Sequence, residues 1–289
     1  MALIEKLTAI ADAVREKTGG DQLLTLDEIK NEIAALSTEP TKPYIDSSRL
    51  SYSRFCQDGQ NLDVLADPNL DPSQTENISY LMYCARLRDV PAVQLSFLNA
   101  KYAERAFSGL GISVNEEFGM DISRLVLLLP KLVDATRMFE NAMMGTAPAL
   151  HLSTACKSAT RMFYGCLYLQ EMDLREADGV ESFHEAFYNC PRLQRVQLNM
   201  RSVNDCRNMF YGCSSLTELS IGTFKIKDSY FRLDDCPLLT VESLVGVLNA
   251  LESNVGENTT HTVILGSENL AKLTDEQKQI AIDKNLTLA

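Results

Sequence analysis

A repeat of 23 or 24 residues constrains the fold of this chain more than any other feature of its sequence. The segments 156–174, 180–198 and 203–221 align with their apolar columns in common, and a cysteine recurs at intervals of 24, 23 and 23 residues. The recurring cysteines are Cys166, Cys190, Cys213 and Cys236. Self-similarity at such a period indicates stacked units, each of which buries its apolar face against its neighbours.

Each unit contains two hydrophobic periods. From Cys156 to Cys166 the apolar residues stand at offsets 0, 3, 6, 7 and 10, which is the stripe of an α-helix. From Leu169 the pattern L-x-x-M-x-L ends in alternation, as in a short strand with one buried face. The sequence therefore predicts an α/β right-handed solenoid, with a parallel sheet on one side and short helices on the other.

Weaker copies of the unit extend the array over residues 46–240. Their marker positions are 56, 81, 107, 139, 163, 187, 210 and 233. The widest interval, from 107 to 139, predicts an insertion at 111–125. Loops of this kind carry function more often than regular elements do, so the insertion is a candidate contact region.

Shorter segments flank the array. Residues 1–36 have two helical stripes, and we predict a two-helix module that docks onto the first repeat or onto copies of itself, which would make a homo-oligomer. Residues 37–45 contain two prolines and form the predicted linker. For residues 241–289 we predict a C-terminal cap of helix, strand, helix and strand, whose second helix begins with a capping box of Thr274 and Gln277.

The placement of the eight cysteines favours small buried thiols over disulfides. On stacked helices the recurring cysteines would lie about 8–10 Å apart, beyond the ~7 Å between Cα atoms that a disulfide spans. No C-x-x-C pair or Cys/His cluster is present. We therefore predict neither a metal site nor a cofactor.

The formal net charge of −12 argues against nucleic acid as a partner, because nucleic-acid binders cluster Lys and Arg. No stretch approaches the ~18 apolar residues of a membrane span, so we predict no membrane insertion. The first twenty residues lack the apolar run of a signal peptide. The expected location is cytoplasmic as synthesised, or virion-associated, with the cell surface reached only by a route other than Sec.

Motifs of common enzyme classes are missing, which favours a protein without catalytic activity. The histidines His151, His184 and His261 are scattered, and we predict that His184 lies at the surface. The pair Asp234 and Asp235 is predicted to cap a turn.

The outward positions of the predicted strands are the candidate interaction surface. These positions are Glu171, Asp173, Arg195, Gln197, Glu218 and Ser220. In a parallel sheet Glu171, Arg195 and Glu218 form a ladder of alternating charge. The ladder either only stabilises the sheet, by a few tenths of a kcal/mol per pair, or presents a surface to a protein or glycan. Clustered exposed aromatic rings would favour a glycan, and a flat charged face would favour a protein.

The repeat A-x-x-M-F-Y-G-C-x-x-L-x-x-L-x-L resembles the BspA-type leucine-rich repeats of bacterial surface proteins over roughly residues 50–240. The two ends of the chain are similar to modules of tail-fibre-like and cell-surface proteins of Firmicutes and their phages. The resemblance implies non-enzymatic adhesion or receptor recognition, as a phage-tail or bacterial surface component. An intracellular interaction scaffold is the alternative. A carbohydrate-active enzyme is the third, and it would need two carboxylates ~5–10 Å apart in a pocket.

Overall fold

The computed structural model describes residues 75–83, 93–111, 120–123, 125–227, 230–256 and 260–289. The chain divides into two units, Met1–Tyr44 and Ile45–Ala289, and every described residue belongs to the second. The predicted two-helix module, the linker, the marker at position 56 and most of the 111–125 insertion lie outside the described residues.

The parallel strands predicted for the repeats are present. The described residues of the array up to Ile221 contain eight short strands: β1 Val93–Ser96, β2 Met120–Asp121, β3 Leu125–Leu129, β4 Met144–Thr146, β5 Ala149–Leu152, β6 Glu171–Leu174, β7 Arg195–Leu198 and β8 Glu218–Ile221. They pair in parallel as three sheets, with strand orders β1-β3-β5, β2-β4 and β6-β7-β8. The array is thus an α/β repeat fold whose strands stack one unit upon the next.

The prediction of short helices opposite these strands is wrong. Within the described part of residues 75–240 the backbone forms turns and no α-helix. The N–H groups of Arg137, Phe139 and Asn141 each donate to a carbonyl of the next unit, at N···O distances of 2.8, 2.8 and 2.7 Å. In an α-helix each of these N–H groups would instead donate to the carbonyl four residues earlier in the same helix. The turns instead bond unit to unit, as neighbouring parallel strands do.

The spacing of apolar residues that suggested a helix arises because the backbone of the turns repeats every three residues. Within one turn the N–H of Met138 donates to the carbonyl of Ala135, at 3.1 Å. A residue with positive φ then interrupts each turn, for example Arg137 at 56° and Arg161 at 54°. Side chains spaced by three residues therefore reach the core without a helix.

A column of phenylalanines forms the centre of the core. Phe107, Phe139, Phe163, Phe187 and Phe210 are buried and stacked nearly parallel, with ring centroids 5.2, 5.5, 5.4 and 5.7 Å apart. The stack is unbroken between Phe107 and Phe139, where the longest interval between markers falls.

The marker predicted at position 81 is displaced by one residue. The N–H of Met82 donates to Ala106 in the next unit, at 2.6 Å, as the N–H of Phe107 does to Met138, at 2.8 Å. Met82 therefore occupies the phenylalanine column, while its neighbour Leu81 is also buried.

Burial of the recurring thiols is confirmed. The described cysteines are free and buried: Cys156, Cys166, Cys190, Cys206, Cys213 and Cys236. Each cysteine of the recurring column donates its S–H to the carbonyl of the phenylalanine one unit earlier. Cys166 reaches Phe139 at 3.0 Å, and Cys190 reaches Phe163 at 3.1 Å. Burial raises the pKa of the Cys190 thiol well above its ordinary value.

The C-terminal segment has the predicted order of helix, strand, helix and strand, with one more helix between. Strand β9 Tyr230–Arg232 lies in the last repeat, and the elements that follow it are α1 Val241–Ala250, β10 His261–Ile264, α2 Gly266–Lys272, α3 Asp275–Ile282 and β11 Leu286–Leu288. The strands form a parallel sheet in the order β11-β10-β9. The capping box of Thr274 and Gln277 begins α3 as predicted. No described helix is long and apolar enough to cross a membrane.

Polar contacts join this segment to the last repeat. The fully buried Asn269 donates its amide to the carbonyls of Leu233 and Cys236, at 3.2 and 3.1 Å. Lys272 donates to the carbonyl of Leu239, at 2.8 Å. Side chains of the C-terminal segment thus bind backbone carbonyls of the last repeat directly.

Candidate binding groove

The six candidate residues lie on one face of the β6-β7-β8 sheet. Along β6 the side chains of Met172 and Leu174 are buried, whereas Glu171 and Asp173 are exposed, so the predicted alternation is present. The strand register aligns the six in two rows across the sheet, Glu171–Arg195–Glu218 and Asp173–Gln197–Ser220.

The first row is a ladder of alternating charge, as its sequence predicts. Arg195 bridges both neighbours: its Nη1 is 3.0 Å from Glu171 Oε2, and its Nε is 3.0 Å from Glu218 Oε2. All three side chains are about half exposed. Ion pairs in such a setting contribute only about 0.2–1 kcal/mol each.

Arg175 orders the second row and was not among the predicted residues. Its guanidinium holds Asp173 in a bidentate pair, with Nη2 2.7 Å from Oδ2 and Nε 3.0 Å from Oδ1. The hydrogen-bonded guanidinium lowers the pKa of Asp173 below its ordinary value. Arg175 stands in the turn after β6, two residues beyond Asp173, which is the only sequence signal for the pair.

A notch separates the two larger sheets. Strands β5 and β6 follow each other in the chain, yet they belong to different sheets. Two cavities of about 460 Å³ each lie between them. They share the lining residues Ala149, Leu150, Asp173 and Arg175. We call the two cavities together the notch.

A third cavity of about 320 Å³ continues the notch across the sheet toward helix α1. Arg195 and Gln197 line both this cavity and the nearer half of the notch. Glu242 and Ser243 of α1 close its far end. The notch and this cavity form one groove over the outer face, which we call the groove.

Carboxylates outnumber guanidiniums in the groove. Its charged lining residues are Glu171, Asp173, Glu176, Glu218 and Glu242, against Arg175 and Arg195. No phenylalanine or tyrosine is among the described residues that line the three cavities. His151 lies 3.5 Å from Glu176 across the notch, an ion pair when the imidazole is protonated. The groove is therefore acidic and offers charge and hydrogen bonds rather than ring faces.

The described residues contain no cluster of three or more His, Cys, Asp or Glu side chains that could hold a metal ion. Most ionic groups of the groove are exposed and paired with a neighbour on the same face. Such an arrangement suits contact with another molecule's surface.

Other aromatic rings lie on the turns, where Tyr211 is exposed and its two stacked neighbours are half-buried. Tyr164, Tyr188 and Tyr211 stack nearly parallel, with ring centroids 4.8 and 4.7 Å apart. Arg161 lies 5.1 Å from the ring centre of Tyr164, a cation–π distance. Because the inner ring faces cover one another, this stack presents ring edges rather than a flat platform for a sugar.

Two minor predictions have mixed outcomes. His184 is half-buried rather than fully at the surface, and it lies 3.8 Å from Asp205 and 3.7 Å from Glu185. Asp234 and Asp235 stand in a turn as predicted, but Asp234 pairs with Arg232 at 2.6 Å. Burial and the charge of Asp234 raise the pKa of Asp235.

A comparison with known protein families finds a match over part of the array. Residues 153–255 match the family model of the BspA type leucine rich repeat region, in six copies. Upstream of the match, the turns continue the same unit-to-unit pairing through Asp134 and Tyr102 to Asn77. Neither a curated protein nor a solved structure matches the chain.

Proposed function

We propose that this chain, whose repeats are BspA-type leucine-rich repeats, is a non-enzymatic recognition protein that binds a protein partner through the groove. The contact residues in this proposal are the two rows already described, Glu171, Asp173, Arg195, Gln197, Glu218 and Ser220. Leucine-rich repeats commonly bind protein partners through a stacked sheet face, which supports this choice.

The observation that carries the proposal is the charged lining of the groove, whose one aromatic side chain among the described residues is the imidazole of His151. A glycan would bind on exposed ring faces, and the described lining has neither Phe nor Tyr. A protein partner meets a charged face by electrostatic complementarity, which gives both specificity and a fast association rate.

We further propose that the protein is a phage-tail or bacterial surface component involved in adhesion. The resemblance of its two terminal segments to modules of such proteins supports this proposal. In this proposal the stacked units continue over residues 46–240 as a right-handed solenoid, and residues 1–36 join copies of the chain. A repeated face on several copies would raise avidity without any new contact.

The test compares two variants of the full chain that each remove exposed ion-pair charges. The first is Glu171→Gln with Arg195→Gln and Glu218→Gln, in the groove. The control is Lys157→Gln with Glu181→Gln, an equally exposed pair on the turns, 2.9 Å apart. Labelled chains are titrated onto intact bacterial cells, protease-treated cells, periodate-treated cells and an immobilised cytosolic fraction.

The proposal expects the groove variant to bind intact cells about tenfold more weakly, the control to bind normally, and protease to remove the binding. Binding lost to periodate instead would identify a glycan. Binding confined to the cytosolic fraction would favour the intracellular scaffold. Equal binding by both variants would remove the groove as the contact surface.

A further inference from the structure

Each cavity of the notch is larger than the third cavity of the groove. Within the β6-β7-β8 sheet, outward side chains of paired strands lie side by side, separated by the ordinary distance between neighbouring strands. Between β5 and β6 the two strands leave the paired cavities, about 460 Å³ each. A cavity of this size is large enough for a long side chain of a partner.

The walls of the notch differ in chemistry. On the β5 side it is lined by Ala149 and Leu150, which are exposed and half-buried. On the β6 side it is lined by the carboxylates of Asp173 and Glu176, whose side chains are 52% and 79% exposed. The β5 wall is thus apolar at these two residues, and the β6 wall holds three carboxylates against the guanidiniums of Arg175 and Arg195.

We propose that the notch accepts a lysine or arginine side chain from the protein partner, and this inference rests on the function proposed above. Both residues have an apolar stem that packs along aliphatic surface and a cationic head that stays solvated or paired. The stem matches the Ala149–Leu150 wall, and the head matches the carboxylates opposite.

The charges of the groove favour a cation over an anion or a neutral group. Asp173 is already paired with Arg175, whereas Glu176 faces His151, which carries charge only when protonated. Among the described residues, Glu176 is the notch carboxylate that forms no ion pair with an arginine, since Glu171 pairs with Arg195. The surplus of carboxylates along the groove adds a longer-range attraction of the same sign.

The probes are three labelled synthetic peptides of alternating Gly and Ser that differ at three alternate central positions. These positions hold lysine, norleucine or glutamate. Norleucine keeps the stem of lysine and removes the ammonium group, so the pair isolates the charge. Each peptide is titrated by fluorescence anisotropy against the full chain, up to about 1 mM.

The chain variants carry equal charge changes in two places. Glu176→Gln with Asp173→Asn alters the notch, and Glu268→Gln with Glu276→Gln alters exposed positions of the C-terminal helices as a matched control. Circular dichroism and urea midpoints confirm that both variants fold.

The proposal expects the lysine peptide to bind about tenfold more tightly than the norleucine peptide, and the glutamate peptide to bind least. The notch variant should lose about fivefold or more in lysine-peptide affinity, and the control should lose less than twofold. Equal affinity for lysine and norleucine, equal loss in both variants, or no lysine-peptide binding would overturn it.

The cell-binding assay separates this failure from failure of the proposed function. If Glu171→Gln with Arg195→Gln and Glu218→Gln weakens cell binding while the notch variant and the peptides show no effect, the groove still binds a protein and the notch has no basic anchor. If neither variant changes cell binding, both proposals fail.

Discussion

The two larger sheets of the array share one core and differ on their outer faces. Outward positions of the β1-β3-β5 sheet include Val126 and Leu128, both half-buried, and the exposed Ala149. The aligned outward positions of the β6-β7-β8 sheet hold Glu171, Arg195 and Glu218 instead. Beneath both, the stacked phenylalanines continue without interruption. Inward columns are therefore common to every unit, whereas outward positions are free to differ and can carry recognition.

The strands also begin at different points within units of equal length. From Phe163 and Phe187 the next strand starts eight positions later, at Glu171 and Arg195. After Phe139 two strands follow, β4 from Met144 and β5 from Ala149, so β5 begins two positions later than this rule predicts, although the next phenylalanine again follows after 24 residues. Strand β5 is therefore displaced relative to β6 where the notch lies.

The largest effect should come from breaking the column that the two sheets share. Phe163 stacks between Phe139 and Phe187, below the boundary between the sheets. Phe163→Ala should lower the free energy of unfolding by about 3–5 kcal/mol, because it leaves a cavity in a fully buried position. Urea unfolding measures the loss, and hydrogen exchange should show weaker protection in β3 and β6 alike.

The exposed Leu167 provides the control, since Leu167→Ala removes a side chain from the same unit at 40% exposure. Its cost should stay below about 1 kcal/mol. If Phe163→Ala weakened protection in only one of the two sheets, the column would not couple them.

The second prediction concerns the pH dependence of stability, because the units of the downstream sheet contain buried thiols that the aligned upstream positions lack. Upstream units have Leu110 and Ala142 where later units have Cys190 and Cys213. Burial raises the pKa of both thiols above the ordinary value of 9.0. The unfolded chain therefore loses these protons first, so their contribution to stability is complete below pH 9 and declines as pH rises. At pH 10 each thiol should remove about 1.4 kcal/mol from the free energy of unfolding relative to neutral pH.

Urea titrations of the parent chain and of Cys190→Ala with Cys213→Ala, at pH 7.5 and 10, measure this difference. The variant starts less stable, but its loss between the two pH values should be smaller by about 3 kcal/mol. Leu110→Ala, at the aligned upstream position, should be destabilised without any change in pH dependence. Parallel pH curves for all three proteins would contradict the assignment to thiols.

The strands and the outward residues could be predicted because a period of two fixes which face a side chain occupies. The helices were mispredicted because a stripe at offsets 3, 6, 7 and 10 fits a chain of three-residue turns as well as a helix. One signal did favour turns. The second position after each phenylalanine is Gly or Asn, the residues that most readily adopt positive φ. These positions, all with positive φ, are Gly109, Asn141, Gly165, Asn189 and Gly212.

The notch and its Arg175 could not be predicted from the columns. A two-residue displacement keeps the same alternation of inward and outward side chains, so Leu150 and Leu152 still fit the repeat pattern. Only the extra Ala147-Pro148 before the strand marks the shift. Proline has no N–H to donate to a neighbouring strand, which is consistent with a break at this point.

A third prediction tests whether that displacement causes the notch. Moving the dipeptide Ala147-Pro148 to a position after Leu152 keeps the repeat at 24 residues and returns β5 to the spacing of β6. The two strands should then pair, which raises the free energy of unfolding by about 1 kcal/mol through new backbone hydrogen bonds. The notch should close, and the lysine peptide should bind no better than the norleucine peptide.

A matched rearrangement that moves Ser153-Thr154 by two positions, without shifting β5, should change neither stability nor peptide preference by a comparable amount. Hydrogen exchange at β5 and β6 provides the direct measurement. If the amides of β5 and β6 exchanged as fast in the rearranged chain as in the parent, the displacement of β5 would not explain why the two strands do not pair.

The smallest effect concerns the ladder that distinguishes the downstream face. Arg195 pairs with both Glu171 and Glu218 at 3.0 Å, but all three side chains are about half exposed. A double-mutant cycle of Arg195→Met and Glu171→Gln should give a coupling energy of only about 0.2–1 kcal/mol, reduced further in 1 M NaCl by screening. Arg201→Met, at an exposed position outside the ladder, controls for the loss of one positive charge. A coupling well above this range would mean that the ladder is there to stabilise the sheet. A small coupling, together with a large loss of partner binding, would mean that these charges are present on the downstream face for recognition.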